Sequence, residues 1–459
     1  MKINFNKKSK FILYTFLFYF WTQIAMQYLQ QILFVLSLGV AIYFFSKSVK
    51  RIRRNINLGK DETINDNKPE RWKIMARVAL GQSKMVVRPV AGFFHILVYV
   101  GFILINIEVL EILIDGIFGT HRVLSFLGPV YDVAIGFFEI LAALVLIACF
   151  VFLARRFIVK IPRFHSTEMK GWATKDATYI LLIEIVLMAA LLKMNAADQI
   201  LQARGAEHFI DAGNFPISQY FTVFLEGFST STLVVFERIF WWFHILGIFL
   251  FLNYVPFSKH LHIILAFPNT WYSRLNPAGQ FANMPEITNE VNLMLDPSKA
   301  DPNMPPPEKF GVNDVTDLSW KNILDAYTCT ECGRCTSSCP ANLTGKKLSP
   351  RKIMMDTRDR AEELGAAKEA NGTDHHDGKS LHDYISQEEL LACTTCNACV
   401  EACPVNINPL EIIFGMRQYQ AMEKAEMPQE WNMMNSNIEN NQAPWQFSPT
   451  DRANWTNDV

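Results

Sequence analysis

The chain has 459 residues, of which 50% are hydrophobic and 19% are charged, and its formal net charge is −1. This even balance of charge, with no basic patch interleaved with aromatic residues, excludes a nucleic-acid-binding groove. Eight of the nine cysteines fall in two short stretches instead of being spread along a small secreted chain, which favours metal binding in a reducing compartment over disulfides.

Residues 1–27 form an N-terminal extension with two interpretations. Lys7, Lys8 and Lys10 precede the short apolar run Phe11–Trp21, as in the first part of a signal peptide. Either translation begins at Met26, or these residues are a removable or interfacial segment.

Residues 28–270 contain five apolar stretches that are long enough to cross a bilayer, which takes about 20 residues of helix. One such stretch alone could be a buried helix of a soluble protein, but five that are each flanked by charge predict a transmembrane bundle. The stretches are approximately Tyr28–Phe45, Val90–Ile114, Val130–Leu153, Ala177–Leu192 and Thr232–Val255.

The distribution of Lys and Arg between these stretches predicts their orientation. The first connection carries twelve Lys and Arg residues and the third carries six, whereas the second and fourth carry far fewer, among them Arg122 and Arg204. Because connections rich in Lys and Arg stay in the cytoplasm, the N-terminus is expected outside. The part that follows the fifth stretch is expected in the cytoplasm, at a bacterial cytoplasmic membrane.

Three histidines lie where the apolar helices could use them. His95 is near the cytoplasmic end of the second stretch, His244 is within the fifth, and His262 follows the fifth. Placing an ionisable side chain in the bilayer costs free energy unless the side chain is paired, so each of these histidines is a candidate functional residue. Neutral imidazole is an axial ligand of haem iron, and the sequence has no Cys-x-x-Cys-His attachment motif, so we predict a non-covalent b-type haem. The alternative is that these histidines are interfacial or form hydrogen bonds between helices.

Two glutamates in the apolar stretches, Glu139 and Glu184, are candidates for a proton path to a quinol. Glu108, Glu111 and Glu237 lie in similar positions. The alternative is that most of these carboxyls are paired or lie near the membrane surface; Glu237 is next to Arg238 and could form a simple ion pair.

Residues 271–317 are rich in Pro, Asn and Met and predict an extended spacer. Residues 318–425 contain eight of the nine cysteines. Helical periodicity in this segment predicts helices at Pro350–Leu364, Ser386–Leu391 and Pro409–Met422. His375, His376 and His382 lie in a polar turn and are expected to be solvated. Residues 426–459 are expected to form a polar tail.

The cysteines form two copies of one motif, three cysteines separated by two residues each and a fourth that precedes a proline. In such a motif the first three thiolates hold one [4Fe–4S] cluster and the fourth ligates the other cluster. A pair of zinc ribbons is the alternative, but zinc ligands come as two pairs, without a third close cysteine. The predicted ligand sets are Cys329, Cys332, Cys335 and Cys403 for one cluster and Cys393, Cys396, Cys399 and Cys339 for the other.

The membrane half resembles the cytochrome b (gamma) subunit of respiratory nitrate reductase and the membrane subunits of heterodisulfide reductase. The resemblance rests on five helices with the N-terminus outside and on the fifth helix, which has His244 and ends in Pro256-Phe257-Ser258-Lys259-x-x-His262. It implies two haems, one held by His95 and His262 and an outer one held by His244. The family's second outer ligand corresponds to Ile105 and Asn106, so one haem is expected and the second stays open, with His121 as the nearest substitute.

The cysteine-containing half resembles the helical dicluster module of the heterodisulfide reductase C subunit. The resemblance rests on Cys329-Thr-Glu-Cys-Gly-Arg-Cys335, Cys339-Pro-Ala-Asn342 and Gly345-Lys-Lys-Leu-Ser-Pro350. The expected fold is all-α: a five-helix transmembrane cytochrome b bundle followed by a helical dicluster ferredoxin-like domain.

The sequence has no Rossmann fingerprint, P-loop, nucleophile elbow or Cys-Cys-Gly motif. The resemblances then imply an oxidoreductase subunit that passes electrons between the quinone or menaquinone pool and a partner. The expected partner is a Cys-Cys-Gly-type iron–sulfur protein, with an electron-transfer flavoprotein as a further candidate. A membrane redox sensor and a structural iron–sulfur subunit are the alternatives.

Overall fold

The computed structural model describes residues 7–277, 279–281, 283–305 and 309–457, with the backbone alone for residues 7–27 and 449. The chain divides into two units. The first unit comprises Met1–Arg53, Trp72–Trp271 and Thr330–Cys332; the second comprises Arg54–Arg71, Tyr272–Cys329 and Gly333–Val459. Both units are helical, and the described residues contain no β-strand, only an isolated bridge between Lys60 and Ser319.

The helices up to residue 271 follow the apolar periodicity of the sequence. In chain order they are α1 (Lys7–Ile56), α2 (Lys68–Met75), α3 (Pro89–Phe118), α4 (Pro129–Phe157), α5 (Trp172–Ala203), α6 (Gln219–Thr222), α7 (Thr230–Tyr254) and α8 (His262–Trp271). Within the described residues, five segments are long and apolar enough to cross a membrane. These are Tyr28–Ile56, Pro89–Phe118, Pro129–Phe157, Trp172–Ala203 and Thr230–Phe257, so the prediction of five spans is confirmed.

Local sequence sets the ends of these helices. Helices α3 and α4 both begin at a proline, which has no N–H to leave unsatisfied in the first turn. Helix α3 ends before Gly119, whose φ of 72° closes the helix in the left-handed conformation.

The core of the first unit forms where the spans pack in sequence order. Helix α4 lies between α3 and α5, and α5 packs against α7. The fully buried Phe34 of α1 contacts Trp241 and Phe249 of α7, with ring centroids 5.6 and 5.9 Å away. It fits beside Gly116 of α3, where a Cβ atom would meet its ring at 2.5 Å.

Helix α1 extends well before the first span. Its backbone is helical from Lys7, so residues 7–27 continue the same helix, and residues 1–6 lie outside the described part of the chain. A start at Met26, or a removable segment, stays a prediction.

The helices of the second unit include the three that periodicity predicts. They are α9 (Pro285–Leu295), α10 (Trp320–Thr328), α11 (Arg334–Ser338), α12 (Pro340–Leu343), α13 (Pro350–Asn371), α14 (Gln387–Leu391), α15 (Ala398–Ala402), α16 (Pro409–Gln418) and α17 (Gln429–Asn441). Helices α13, α14 and α16 confirm the three that periodicity predicts.

The expected extended spacer is not extended throughout. Helix α9 lies inside it, begins at Pro285 and places apolar residues at helical spacing, as at Ile287 and Val291. The content of Pro and Asn concealed this periodicity, so the prediction was wrong for these residues. Of the same segment, Ala278, Ala282 and residues 306–308 lie outside the described residues.

A segment from the first connection belongs to the second unit, which the sequence did not predict. Lys60 N–H donates to the carbonyl of Leu318 at 2.7 Å, and Trp320 N–H donates to the carbonyl of Lys60 at 3.0 Å. The amide of Asn55 donates to the hydroxyl of Tyr327 at 2.9 Å. Residues 54–71 are therefore built into the same unit as most of the cysteines.

Candidate functional site

The two cysteine loops have the same backbone twist at equivalent positions. In the first loop Glu331 and Gly333 have φ values of 53° and 69°, and in the second Thr395 and Asn397 have 55° and 61°. Each of these left-handed residues lies directly beside a cysteine, Cys332 in the first loop and Cys396 in the second. Glycine and asparagine, the residues that tolerate this conformation best, occupy the position before α11 and α15.

The fourth cysteine of the first motif lies with the thiols of the second. Cys339 and Cys396 are both close enough to act electrostatically on Cys393 and Cys399. Cys339 follows α11 directly, and α11 packs against α15, which contains Cys399. The structure thus groups the four cysteines that the crosswise ligand pattern assigns to one cluster.

Backbone N–H groups point at two of the thiols. Thr395 N–H donates to Cys393 Sγ at 3.4 Å, and Ile407 N–H donates to Cys403 Sγ at 3.3 Å. Hydrogen bonds to cluster sulfurs stabilise the reduced state and so raise the reduction potential. Cys396 is exposed, whereas Cys329, Cys339, Cys399 and Cys403 are buried.

Burial raises the pKa of the Cys399 thiol to about 12, with a further contribution from the neighbouring thiols. The pKa of Cys393 is raised for the same reason. Without metal these thiols would hold their protons at neutral pH, and iron binding must displace the protons. The residues fit a metal group that neutralises several thiolates at once.

The spacing of the ligands distinguishes a cluster from a single ion. In the part of the chain that the structure describes, no three His, Cys, Asp or Glu side chains converge closely enough to hold one metal ion. A zinc ion holds each of its thiolates at about 2.3 Å from a single centre. A cubane carries each thiolate on a separate iron, so its ligands lie further apart. The third close cysteine and the Cys-Pro of each motif are what favour clusters over the zinc-ribbon alternative.

His95 of α3 and His262 at the start of α8 come together in the first unit. Their ring centroids are 6.3 Å apart, with an angle of 41° between the planes. An imidazole nitrogen lies about 2.0 Å from a bound metal and its ring centroid about 1.2 Å further, so two imidazoles across one iron would be separated by roughly 6.4 Å. His262 Nδ1 lies 2.9 Å from the carbonyl of Lys259, which orients the ring and leaves Nε2 available. These residues fit a bis-histidine iron site.

His260 is a third imidazole in this group that the sequence did not single out. Its ring centroid is 5.7 Å from that of His262 and 5.4 Å from that of Phe251. Burial lowers the pKa of His260 to about 3 and also lowers the pKa of His262. Both rings are neutral at neutral pH, as a metal ligand must be. The sequence signal that could have identified His260 is its position two residues before His262, in Lys259-His260-Leu261-His262.

His244 is oriented by a contact between helices. It is 1% exposed, and its Nδ1 lies 3.0 Å from the carbonyl of Leu187 on α5. This bond agrees with the alternative that His244 forms a hydrogen bond between helices, and it leaves the lone pair of Nε2 available. His121 lies elsewhere, with its ring 5.0 Å from that of Phe209 and its Nε2 3.6 Å from Asp198.

The two glutamates of the predicted proton path differ in their surroundings. Glu139 is 1% exposed and accepts hydrogen bonds from Ile217 N–H at 2.8 Å, Ser218 N–H at 3.1 Å and Asn195 at 3.3 Å. Glu184 lies near Cys149 and has no hydrogen bond within the described residues. Three donors hold Glu139 in place at the loop that leads to α6, whereas Glu184 is free of such constraints.

Two other side chains were assigned from sequence. Glu237 pairs with Arg238 at 2.5 Å, which agrees with the simple ion-pair alternative. His382 is not solvated as expected. It is half-buried, its Nε2 lies 3.3 Å from the carbonyl of Val312, and its ring lies 5.4 Å from that of Tyr419. The expectation was wrong because the polar turn folds back against Val312 and against Tyr419, which directly follows α16, and local composition does not reveal such a contact.

Comparisons with known proteins agree with the chemistry of the cysteine loops. Residues 328–407 match the family described as the 4Fe-4S dicluster domain, which supports two [4Fe–4S] clusters. The chain is 29% identical over 458 residues to the probable iron-sulfur-binding oxidoreductase FadF of Bacillus subtilis, covering 93% of this chain and 61% of that protein. It is 29% identical over 406 residues to the EtfAB:quinone oxidoreductase of Syntrophomonas wolfei, covering 82% of this chain and 52% of that protein.

A shorter match is to a probable membrane-anchored ferredoxin of Chromohalobacter salexigens. The chain is 29% identical to it over 166 residues, covering 33% of this chain and 24% of that protein. No solved structure matches the chain. The chain spans about 61% and 52% of the two longer relatives it matches. These two relatives are oxidoreductases by name, and this chain is similar to them.

Proposed function

We propose that this chain is an oxidoreductase subunit that transfers electrons between a membrane quinone, such as menaquinone, and a water-soluble partner. The observation that carries the proposal is that one chain holds five helices long and apolar enough to span a membrane and two cysteine loops of the dicluster type, with Cys339 grouped with the thiols of the second loop. Similarity over most of the chain to a protein named as an EtfAB:quinone oxidoreductase supports the quinone link.

In this proposal two [4Fe–4S] clusters supply single-electron carriers. Cys329, Cys332, Cys335 and Cys403 hold one cluster and Cys393, Cys396, Cys399 and Cys339 hold the other. Because Cys396 is exposed, the second cluster offers the shorter route for electrons to a docked partner. The partner is a Cys-Cys-Gly-type iron–sulfur protein or an electron-transfer flavoprotein, and copurification with a tag on this chain tests that assignment.

A b-type haem held by His95 and His262 is the proposed carrier inside the membrane part. The centroid distance of 6.3 Å supports it. A second haem at His244 is the less supported extension, because Ile105 and Asn106 stand where the family's second outer ligand would lie. A pyridine haemochrome assay should give one haem per chain for wild type and none for His262→Ala, with His376→Ala as an exposed control. A wild-type protein without haem contradicts this part of the proposal.

The proposed location is a bacterial cytoplasmic membrane with the N-terminus outside and the clusters in the cytoplasm. The asymmetry of Lys and Arg supports this orientation. Residues 54–71 of the first connection also share a unit with residues 272–329, which requires both segments to lie on the same side. A cysteine introduced at exposed Asp61 tests which side of the membrane this connection faces. An impermeant thiol reagent should label it in inverted vesicles and not in intact cells.

Quinone chemistry moves protons as well as electrons. Glu139 and Glu184 remain the proposed carboxyls of that path, and Glu184, which has no hydrogen-bond donor among the described residues, is the less constrained of the two. Replacement of Glu184 by Gln should slow quinol-dependent reduction of the clusters without affecting their chemical reduction.

The test of the whole proposal is an optical and EPR redox titration followed by addition of a menaquinol analogue to the purified protein. The expected result is reduction of both clusters by the quinol. Clusters that respond to dithionite and not to any quinol would contradict the proposal and favour a sensing or structural role.

A further inference from the structure

The tip of the first cysteine loop, Thr330–Cys332, belongs to the first unit by its contacts. The carbonyl of Cys332 accepts a hydrogen bond of 2.9 Å from Nε of Arg163, in the connection between α4 and α5. Glu331, which precedes Cys332, is 4% exposed and forms an ion pair with Lys259. Two cations of the first unit therefore hold the tip of this loop.

The side chain of Lys259 is fixed by several acceptors at once. Besides Glu331, its ammonium group donates to the carbonyl of Ala173 at 2.6 Å and lies 3.9 Å from Asp176, both on α5. The Lys259 side chain is 11% exposed. An ionised carboxylate out of water is costly unless it is paired, so the buried Glu331 depends on this ammonium group.

The backbone of Lys259 is held as well. Its N–H donates to Asp176 Oδ2 at 3.0 Å, and the hydroxyl of Tyr254 donates to Oδ1 of the same carboxylate at 2.5 Å. Asp176 is 2% exposed. Because one buried carboxylate binds both ends of the turn from Tyr254 to Lys259, this turn has little freedom to move.

Lys259 also contacts the histidine pair. Its carbonyl lies 2.9 Å from His262 Nδ1, and the ring of His262 lies 6.3 Å from that of His95 between centroids. The backbone of this one residue orients a proposed iron ligand, while its side chain holds the residue before Cys332.

The second cysteine loop has no such link. Thr395 occupies the position equivalent to Glu331, with a φ of 55° against 53°, and it carries no charge. Residues 393–399 lie in the second unit. In the part of the chain that the structure describes, Cys332 is the one predicted cluster ligand assigned to the unit that contains His95 and His262.

We propose that Lys259 is a positioning residue that holds Cys332 near the His95–His262 site, so that the first cluster exchanges electrons with iron at that site. The first cluster is the one assigned to Cys329, Cys332, Cys335 and Cys403. The inference rests on the proposed function, which places a haem and two clusters in this chain. One electron moves at a time: ferrous iron becomes ferric as the first cluster passes from its 2+ to its 1+ state, or the reverse. No bond is formed or broken.

The kinetic test uses the full-length holoprotein and a light flash on an external deazaflavin, which reduces the clusters, with haem reduction followed by its absorbance. Lys259→Met should slow haem reduction relative to cluster reduction about tenfold or more, because a misplacement of about 1 Å between reacting groups can cost roughly a hundredfold. Lys259→Arg, which can still pair with Glu331, should keep the wild-type rate. Lys175→Met is the matched control, because Lys175 is exposed, lies next to Asp176 and has no ion pair among the described residues.

An EPR redox titration supplies a second readout. Loss of the Lys259 charge should lower the reduction potential of the first cluster and leave that of the second unchanged, because nearby charge sets the potential of a cluster. A lower potential favours transfer from the cluster to the haem. Slower transfer in Lys259→Met therefore reports misplacement and not the change in charge.

The outcomes separate the inference from the proposed function. A wild type with both clusters and no haem would overturn the proposed haem and this inference with it. With haem present, a wild-type rate in Lys259→Met, or in Cys329→Ala, which lacks the first cluster, would overturn the inference alone. Glu331→Gln breaks the same ion pair from the loop side and should also slow haem reduction, so it gives the test if Lys259→Met does not fold.

Discussion

Arg360 on α13 is the most extensively paired cation of the second unit within the described residues. It is 1% exposed and holds two carboxylates, with bonds of 2.9 and 2.6 Å to Asp314 and of 2.5 and 2.9 Å to Asp377. The guanidinium holds the pKa of Asp377 at about 2. One side chain thus joins the loop before α10 to the turn after α13.

Replacement of Arg360 by Ala should lower the free energy of unfolding of this unit by about 2 kcal/mol, because it leaves two partly buried carboxylates without the cation that pairs them. The temperature at which the cluster absorbance is lost measures the effect. Lys368→Ala, on the same helix, has no ion pair among the described residues and should leave that temperature unchanged. Equal temperatures for Arg360→Ala and wild type would show that the two carboxylates are stable without the guanidinium.

The crosswise ligand pattern also makes a prediction about single residues. Cys339→Ala should remove the same EPR signal as Cys393→Ala, and Cys403→Ala should remove the same signal as Cys329→Ala. Buried Cys149, which lies in α4, provides the control, and Cys149→Ala should keep both signals. If Cys339→Ala instead loses the signal that depends on Cys329, each motif holds its own cluster.

At the scale of elements, the packing of α16 depends on one glycine. Gly311 has a φ of 71°, and a Cβ there would lie 2.3 Å from Tyr419 N and 2.4 Å from the carbonyl oxygen of Gly415. The next residue, Val312, donates its N–H to that same carbonyl at 2.8 Å. The close approach of the two backbones requires the absence of a side chain.

Gly311→Ala should therefore destabilise the second unit by more than Gly345→Ala. Gly345 also has a positive φ, of 84°, but nothing lies within 4 Å of its Cβ position. The control measures conformational strain alone, about 1 kcal/mol, and the excess in Gly311→Ala measures the steric overlap. Thermal loss of the clusters compares the two variants, and similar losses would mean that α16 can move aside.

At the scale of the whole molecule, the first connection has a structural role in the second unit. Gly59 approaches the backbone of residues 318–320, where a Cβ would lie 2.7 Å from Ser319 C and from Trp320 N. The bridge between Lys60 and Ser319 follows directly. A segment between the first two spans thus packs against residues more than 250 positions later in the chain.

Gly59→Ala should break the two backbone hydrogen bonds of that bridge and cost about 2 kcal/mol of stability, at about 1 kcal/mol for each bond. The readout is the thermal stability of the clusters, although no cysteine has been changed. Gly39→Ala is the control, because Gly39 lies in α1, the helix that precedes Gly59, and nothing lies within 4 Å of its Cβ position. Unaltered cluster stability in Gly59→Ala would show that residues 54–71 contribute nothing to the second unit.

The sequence alone determined the features that depend on local spacing. Five apolar stretches and two cysteine motifs are each contained in a few dozen residues, so hydropathy and ligand spacing predict them without a fold. Helices α13, α14 and α16 of the second unit were predicted for the same reason. Helix α9 was missed because its proline and asparagines resemble those of a linker.

The tertiary structure decided which distant residues meet. The pairing of His95 with His262, the contact of Cys339 with the second cysteine loop, and the position of His121 beside Asp198 join residues that have no fixed spacing in the chain. A histidine inside a span looks the same in the sequence whether it binds iron or donates a hydrogen bond to a carbonyl oxygen. The sequence therefore could not decide between these two roles for His244. Spacing along the chain determines local geometry, but only packing places a partner opposite each group.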